Sequence, residues 1–200
     1  MPKPNKRPEI IIACQELLQK EGYQSLNMLA VAEKCEIAVS GLYYHFKNKD
    51  DLIKETIISY KNTFQSILTE IEREKDARKC LERLIDVYYL VLEPNNNKVC
   101  ICVSLMNEFN TLPRPIIEEL KSFCDLQVEW IVKVFQKTNP ISQSEAAMLV
   151  AAFQNFMATA RLRENAKYFK VLSYSLLENF LISHEKTGIS SARRYYDGTC

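Results

Sequence analysis

Glycine and proline are scarce, at 4 and 7 residues in a chain of 200. So few turn formers argue against a turn-rich β fold and in favour of long helices. Charge of one sign is not in excess either. Lys and Arg number 26 against 25 Asp and Glu, a net charge of +1, so any surface for nucleic acid must be a local patch. Only two histidines occur, His45 and His184. They lie far apart in the chain, neither stands in a metal-ligand spacing, and no glycine-rich phosphate loop is present. The expectation is a protein that is not an enzyme and holds no cofactor and no metal. No apolar run is long enough to cross a bilayer, and no charged-then-apolar leader opens the sequence. A cytoplasmic location with no membrane partner follows as an expectation. Cysteine is the opposite case, with seven residues. The number is odd and the chain is not short, so reduced thiols are expected rather than an extracellular disulfide framework.

What is present is helical periodicity. Hydrophobic residues make up 47% of the chain, enough for a sizeable core. Lys3, Lys6 and Arg7 form a short basic arm before Pro8, which suits a first helical position. Ile11, Ile12, Leu17 and Leu18 follow at helical spacing, and Gly22 stops the helix. Asn27 and Asn48 are N-cap residues for later helices, and Asp50 and Asp51 favour the first turn after Asn48. Leu52 to Ile71 sustain one apolar stripe, long enough to leave the first three helices and enter a second bundle. Asp76 can cap a fifth helix, which Pro94 and three asparagines end. Val99 to Phe109 is short and very apolar. Its β-branched residues allow a strand, but in this context it reads as a short buried helix. A seventh helix lies between Pro115 and Pro140. Ser142-Gln-Ser-Glu145 is a capping box that opens an eighth. A ninth runs through Tyr168 to Phe180 and closes at Gly188, and Ser190 to Cys200 reads as a loose tail.

The stretch Asn27 to Lys49 reads as two short helices joined by a tight turn, with the helix before Gly22 behind them. A helix-turn-helix places its second helix in the major groove of DNA. Gly22-Tyr23, Val31-Ala32 and Leu42-Tyr43-Tyr44-His45-Phe46, followed by Lys47-Asn-Lys-Asp-Asp-Leu52, resemble the DNA-binding domain of the TetR/AcrR family of transcriptional regulators. The resemblance spans roughly Pro8 to Leu52. It implies an all-α fold with a three-helix DNA-binding domain over residues 1–47, a ligand-binding and dimerisation bundle over 48–186, and a tail over 187–200. Two departures stand out. Glu36-Ile37-Ala38 replaces the usual Gly-Val-Ser turn, which asks Glu36 to adopt a glycine-like conformation at ~1 kcal/mol and removes a serine that could cap the next helix. Ser40-Gly41 replaces the usual glycine followed by a small residue.

Carried over by position, the resemblance implies phosphate contacts from Asn27, Met28 and Lys49, base-edge contacts from Val39, Ser40 and Gly41, and backbone contacts from Tyr43, Tyr44 and His45. Lys6 and Arg7 of the arm join them. No Arg, Asn or Gln lies between Ala38 and Phe46, so bidentate pairing to G or A is absent there and DNA shape must share the readout.

In the second bundle the resemblance implies a small-molecule cavity. Its expected lining is Tyr60, Phe64, Tyr88, Cys100, Met106, Phe109, Trp130 and Phe153. The last two helices are expected to form a homodimer contact through Ala151, Phe156, Val171, Ser175 and Asn179. Cys100-Ile-Cys102 reads as two small buried hydrophobes, and without a nearby His it offers too few metal ligands. Cys100, with Glu108 eight positions later, also resembles a segment of the AcrR-like branches, some of whose members sense electrophiles through a cysteine there. The resulting expectation is a ligand-responsive repressor that binds a palindromic double-stranded operator as a dimer and is released by an effector. The alternatives are a cysteine-based redox or electrophile sensor, and a helical interaction module that has lost DNA binding.

Overall fold

The computed structural model describes residues 5–92, 98–136 and 139–188, with side chains through residue 184. Lys3 of the basic arm, the helix end at Pro94 to Asn97 and the tail from Ser190 lie outside the described residues. Among those described, the regular elements are α1 (Arg7–Ser25), α2 (Met28–Lys34), α3 (Val39–His45), α4 (Lys49–Ile71), α5 (Ala77–Leu92), α6 (Ile101–Met106), α7 (Arg114–Phe135), α8 (Gln143–Leu162) and α9 (Ala166–Gly188), with one 3₁₀ turn at Phe109–Thr111.

Local chemistry sets most helix starts. The Asn27 side chain accepts from Ala30 N at 2.9 Å, and Asn48 accepts from Asp51 N at 2.8 Å. Asp76 accepts from Arg78 N at 2.8 Å. Ser142 and Glu145 complete a reciprocal box, with Ser142 N donating to Glu145 at 2.8 Å and Glu145 N donating to Ser142 at 3.2 Å. Each such cap satisfies a donor that the helix itself leaves open, worth ~1 kcal/mol. Gly22 behaves otherwise than a plain stop. The helix breaks there, at φ 82° and ψ −171°, and resumes for one more turn to Ser25.

Ile10, Leu18, Val31, Leu42 and Phe46 from α1–α3 meet Leu52 and Ile53 from the start of α4. The two short helices thus bury their few apolar side chains against α1 and α4, at ~1.5–3 kcal/mol for each fully buried side chain. Farther along, α4 packs on α7, so one helix serves both units. The apolar run at Ile101–Met106 is helical. It has α1, α7 and α8 around it, and among the described residues no strand lies alongside with which an extended segment could pair. α8 and α9 form an antiparallel pair, with α5 across α9.

Tyr60, Phe64, Tyr88, Phe123 and Phe153 form one aromatic core, with ring centroids 5.2–6.4 Å apart. Its polar atoms are matched internally. Tyr88 donates to Gln127, Gln127 donates to Phe123 O at 3.0 Å, and Trp130 Nε1 donates to Leu68 O at 3.2 Å.

Candidate nucleic-acid interface

Only Leu42 of the seven α3 residues is fully buried, and Phe46 directly after it joins the same core. A helix held by so few residues must present the rest outward. Ser40 is exposed, Val39, Gly41 and His45 are half-buried, and Tyr43 and Tyr44 stand out at 54% and 86% exposure. Tyr44 leans edge-on against His45, with ring centroids 5.1 Å apart. Two exposed tyrosines on a short helix form a surface that reaches apolar and polar partners alike.

The turn before α3 carries the expected irregularity. Glu36 sits at φ 54°, in the left-handed region, and Ala38 provides no side-chain cap for α3. At Gly41 an added Cβ would meet only Ile37, at an ordinary 3.7 Å. Packing therefore does not require a glycine there.

The structure divides the expected contact residues into two sets. Asn27, Ser40, Tyr43 and Tyr44 are exposed on the α2–α3 side, with Val39, Gly41 and His45 beside them. Met28, by contrast, is 8% exposed and belongs to the core. Arg7 is fastened internally. Its guanidinium donates to His45 O at 2.7 Å, pairs with Glu55 at 2.6 Å and lies 4.4 Å over the Phe46 ring. It thereby caps the end of α3 and ties it to α4. Lys6 pairs with Glu9 at 2.6 Å. Lys49 donates to Tyr23 O at 2.5 Å and lies 4.2 Å over the Tyr23 ring. Burial lowers its pKa below the ordinary lysine value. Lys47, which sequence reasoning passed over, is exposed beside α3 and makes no ion pair among the described residues. Its adjacency to Tyr44 and His45 was the available signal.

A second feature joins this surface to the rest of the molecule. The Glu108 carboxylate accepts from Tyr23 N at 2.7 Å and from Gln24 N at 2.8 Å, directly after the Gly22 break. Tyr23 OH donates to Asp50 at 2.9 Å, and Ser104 Oγ donates to Leu18 O at 2.5 Å. The end of α1, the start of α4 and the segment from α6 to Glu108 thus meet at one polar node. The sequence marks Tyr23 only as part of the Gly22-Tyr23 pair of the family resemblance and Glu108 only as the residue eight positions after Cys100. Only the close approach permitted by a glycine hinted at the node.

The residues expected to line an effector cavity are also divided. Tyr60, Phe64, Tyr88, Cys100, Trp130 and Phe153 are buried in the closed core, whereas Met106 and Phe109 are half exposed outside it. A groove of about 1070 Å³ lies elsewhere, alongside α6 and α8. Its lining includes Leu92, Val99, Val103, Lys98, Arg161 and Lys167. At the far end, Ala151, Val171, Ser175 and Asn179 are exposed on one side of the α8–α9 pair and Phe156 is half-buried. Met148, Val171 and Ile182 are large exposed apolar residues of these two helices. No helix is long and apolar enough to cross a membrane, and no group of three or more His, Cys, Asp or Glu could hold a metal, both among the described residues.

Comparison with known proteins agrees with this geometry. Residues 10–56 match the family model described as bacterial regulatory proteins, tetR family. An uncharacterized HTH-type transcriptional regulator of Haemophilus influenzae is 30% identical over 71 residues, which cover 36% of each chain. The match therefore spans about a third of that relative. The fatty acid metabolism regulator protein of Bacillus subtilis is 25% identical over 126 residues, covering 60% of this chain and 65% of that one. Among solved structures, a TetR-family transcriptional regulator from Agrobacterium tumefaciens superposes with a TM-score of 0.81 at 20% identity, covering 87% of this chain and 96% of its own. A TetR transcriptional regulator from Legionella pneumophila gives 0.80 at 22% identity, covering 90% and 98%. These two likenesses establish the fold.

Proposed function

We infer, from the premise that this chain belongs to the TetR family of bacterial regulatory proteins, that it is a repressor that binds a palindromic operator as a homodimer and is released by a small-molecule effector. The carrying observation is α3. Its exposed Ser40, Tyr43 and Tyr44 are held rigidly from behind by Leu42, Phe46 and the Arg7 clamp. Val39 and Ser40 face base edges, and Gly41 lets the α3 backbone approach them. Tyr43, Tyr44 and His45 donate to phosphates, with Asn27 at the start of α2 and Lys47 adding to the grip. Lys49 and Arg7 act from within, by setting the angle of α3 against α4. Direct readout is sparse, so sequence-dependent DNA shape carries part of the specificity.

The apolar outer face of α8 and α9 supports the dimer. A two-fold pair of reading heads matches half-sites about one helical turn, ~34 Å, apart or a multiple of that. Effector and DNA oppose each other through differential binding to two arrangements of the bundle. The groove beside α6 is lined by apolar Leu92, Val99 and Val103 and by charged Lys98, Arg161, Glu164 and Lys167, of which Lys98 also pairs with Glu16 and Arg161 also donates to Gln19 O and Lys20 O, a mixed lining that suits an amphipathic ligand such as an acyl anion. FadR of Bacillus subtilis, a fold relative with a TM-score of 0.64 at 18% identity, is known in complex with stearoyl-CoA, a molecule of that class.

The test is a titration of the purified chain on the DNA upstream of its own gene. Binding should weaken steeply with salt, as phosphate-dominated binding does, and should protect a palindrome. Absence of binding at low salt would instead favour an interaction module. Stearoyl-CoA, but not free CoA, should release the DNA. Equal effects of the two would remove the amphipathic anion from the proposal.

A further inference from the structure

Three cysteines gather behind the aromatic core. Cys100 and Cys102 flank the first turn of α6 and are fully buried, while Cys124 of α7 is half-buried. The Cys102 and Cys124 sulfurs are hydrogen-bonded at 3.6 Å, about van der Waals contact. A disulfide needs ~2.05 Å, so closure draws the two sulfurs together by about 1.5 Å. Gln154 of α8, 6% exposed, lies beside Cys124, and apart from that thiol its buried Nε2 has no hydrogen-bond partner among the described residues. A buried amide N–H without an acceptor is costly, and an anionic sulfur would satisfy it.

We propose that Cys102 and Cys124 are a redox pair that a peroxide closes to a disulfide between α6 and α7, and that closure loosens the grip on DNA. The second half rests on the regulator reading. The Cys124 thiolate attacks one peroxide oxygen. An S–O bond forms, the O–O bond breaks, and the departing oxygen takes a proton as water. The Cys102 sulfur then attacks the sulfenyl sulfur. The S–S bond forms, the S–O bond breaks, and the hydroxyl leaves as water with the Cys102 proton. Two thiols lose two electrons, and one peroxide becomes two waters.

Reactivity differs among the cysteines in the sense this requires. The hydrogen bond with Cys102, aided by Gln154 and opposed by burial, brings the Cys124 thiol down to about 7. Burial pushes Cys14 up to about 12 and raises Cys35 and Cys80, and hydrogen bonds with Cys100 and Cys124 raise Cys102. The hydrogen bond with Cys102 lowers Cys100 as well, but Cys100 is fully buried and lacks the access of Cys124. Thiolate character and access both favour Cys124 as the attacking group. The consequence runs along α6. Its Ser104 holds Leu18 O, and Glu108 just beyond it holds the backbone N–H groups of Tyr23 and Gln24. Drawing Cys102 toward α7 pulls this segment against its hold on α1.

The test uses the full reduced chain, hydrogen peroxide, and a non-reducing peptide map. The expected product is one peptide pair joined through Cys102 and Cys124, lighter by two hydrogen atoms, with Cys14 still alkylatable. In C102A, checked for native helicity by circular dichroism, Cys124 should instead stop at a sulfenic acid that dimedone traps. Oxidation should lower operator affinity by roughly 5- to 150-fold, the usual span of an allosteric coupling, and reductant or C124S should abolish the loss. A map without the Cys102–Cys124 link, or with Cys100 in its place, would overturn the pair. The link with unchanged operator affinity would overturn the coupling. If the reduced chain binds no DNA, the regulator reading fails, and the peptide map still decides the pair.

Discussion

At Gly22 the backbone turns through φ 82° beneath the Glu108 carboxylate, and an added Cβ would stand 2.1 Å from Glu108 Oε1. Gly22→Ala therefore strains the backbone and expels the carboxylate from two backbone donors. A loss of ~2–4 kcal/mol is expected from such a combined defect, read as a lowered urea midpoint. Glu36 gives the opposite sign. Its φ of 54° costs a non-glycine residue ~1 kcal/mol, and the side chain is exposed. Glu36→Gly should leave stability unchanged or raise it by up to ~1 kcal/mol in a thermal melt. Gly41 separates packing from function. Gly41→Ala has room for its Cβ and favours the helix by ~1 kcal/mol, so the melt should hold or rise. Operator affinity should fall nonetheless, because the methyl group holds the α3 backbone off the bases. A variant that melts normally and binds normally would remove Gly41 from the interface.

Among the elements, α1 acts as the bracket. Its Glu16 pairs with Lys34 of α2 at 2.8 Å and with Lys98, just before α6, at 3.0 Å. The hydrogen bonds from Lys34 and then Lys98 hold its carboxyl below the usual carboxylate range. A carboxylate depressed in the folded state contributes stability above its unfolded pKa, ~4.3, and that contribution fades as pH falls through the folded value. The group is partly exposed and solvent screens it, so the effect is small. Glu16→Gln should lower the urea midpoint slightly at pH 7, and the difference from the unaltered chain should shrink below pH ~4. A constant difference across that range would mean that packing, not charge, carries the effect. Element starts were legible in the sequence because a cap acts within three residues, as Asn27, Asn48 and Ser142 do. The roles of Arg7 and Lys49 were not legible. Both are cations beside a helix-turn-helix, and only their partners at His45, Glu55 and Tyr23 show that they brace the domain.

For the whole molecule, the proposed dimer rests on the α8–α9 face. Val171 is 65% exposed in the single chain and shares these helices with exposed Met148 and Ile182. A charge there would be desolvated in a dimer and harmless in a monomer. In the proposed dimer, Val171→Glu should therefore give a monomer by sedimentation analysis, leave the circular dichroism intact, and lower operator affinity through loss of the second reading head. A monomer that keeps full affinity would overturn the two-fold reading.

By itself the sequence determined the helical class, the order of nine helices among the described residues, the strained turn at Glu36 and the short helix that follows it. These depend on periodicity, capping and backbone sterics, which act within a turn or two of chain. Tertiary structure alone decided that Tyr60, Phe64, Tyr88, Phe123 and Phe153 pack against one another in a single core. It also decided that Met28 is buried, that Arg7 bonds His45 and Glu55, that Lys49 bonds Tyr23, and that Cys102 faces Cys124. Those outcomes depend on which side chains meet across helices, such as Tyr23 with Glu108, 85 positions away. Many packings share one hydrophobic pattern, and the mutual fit of all the helices selects among them.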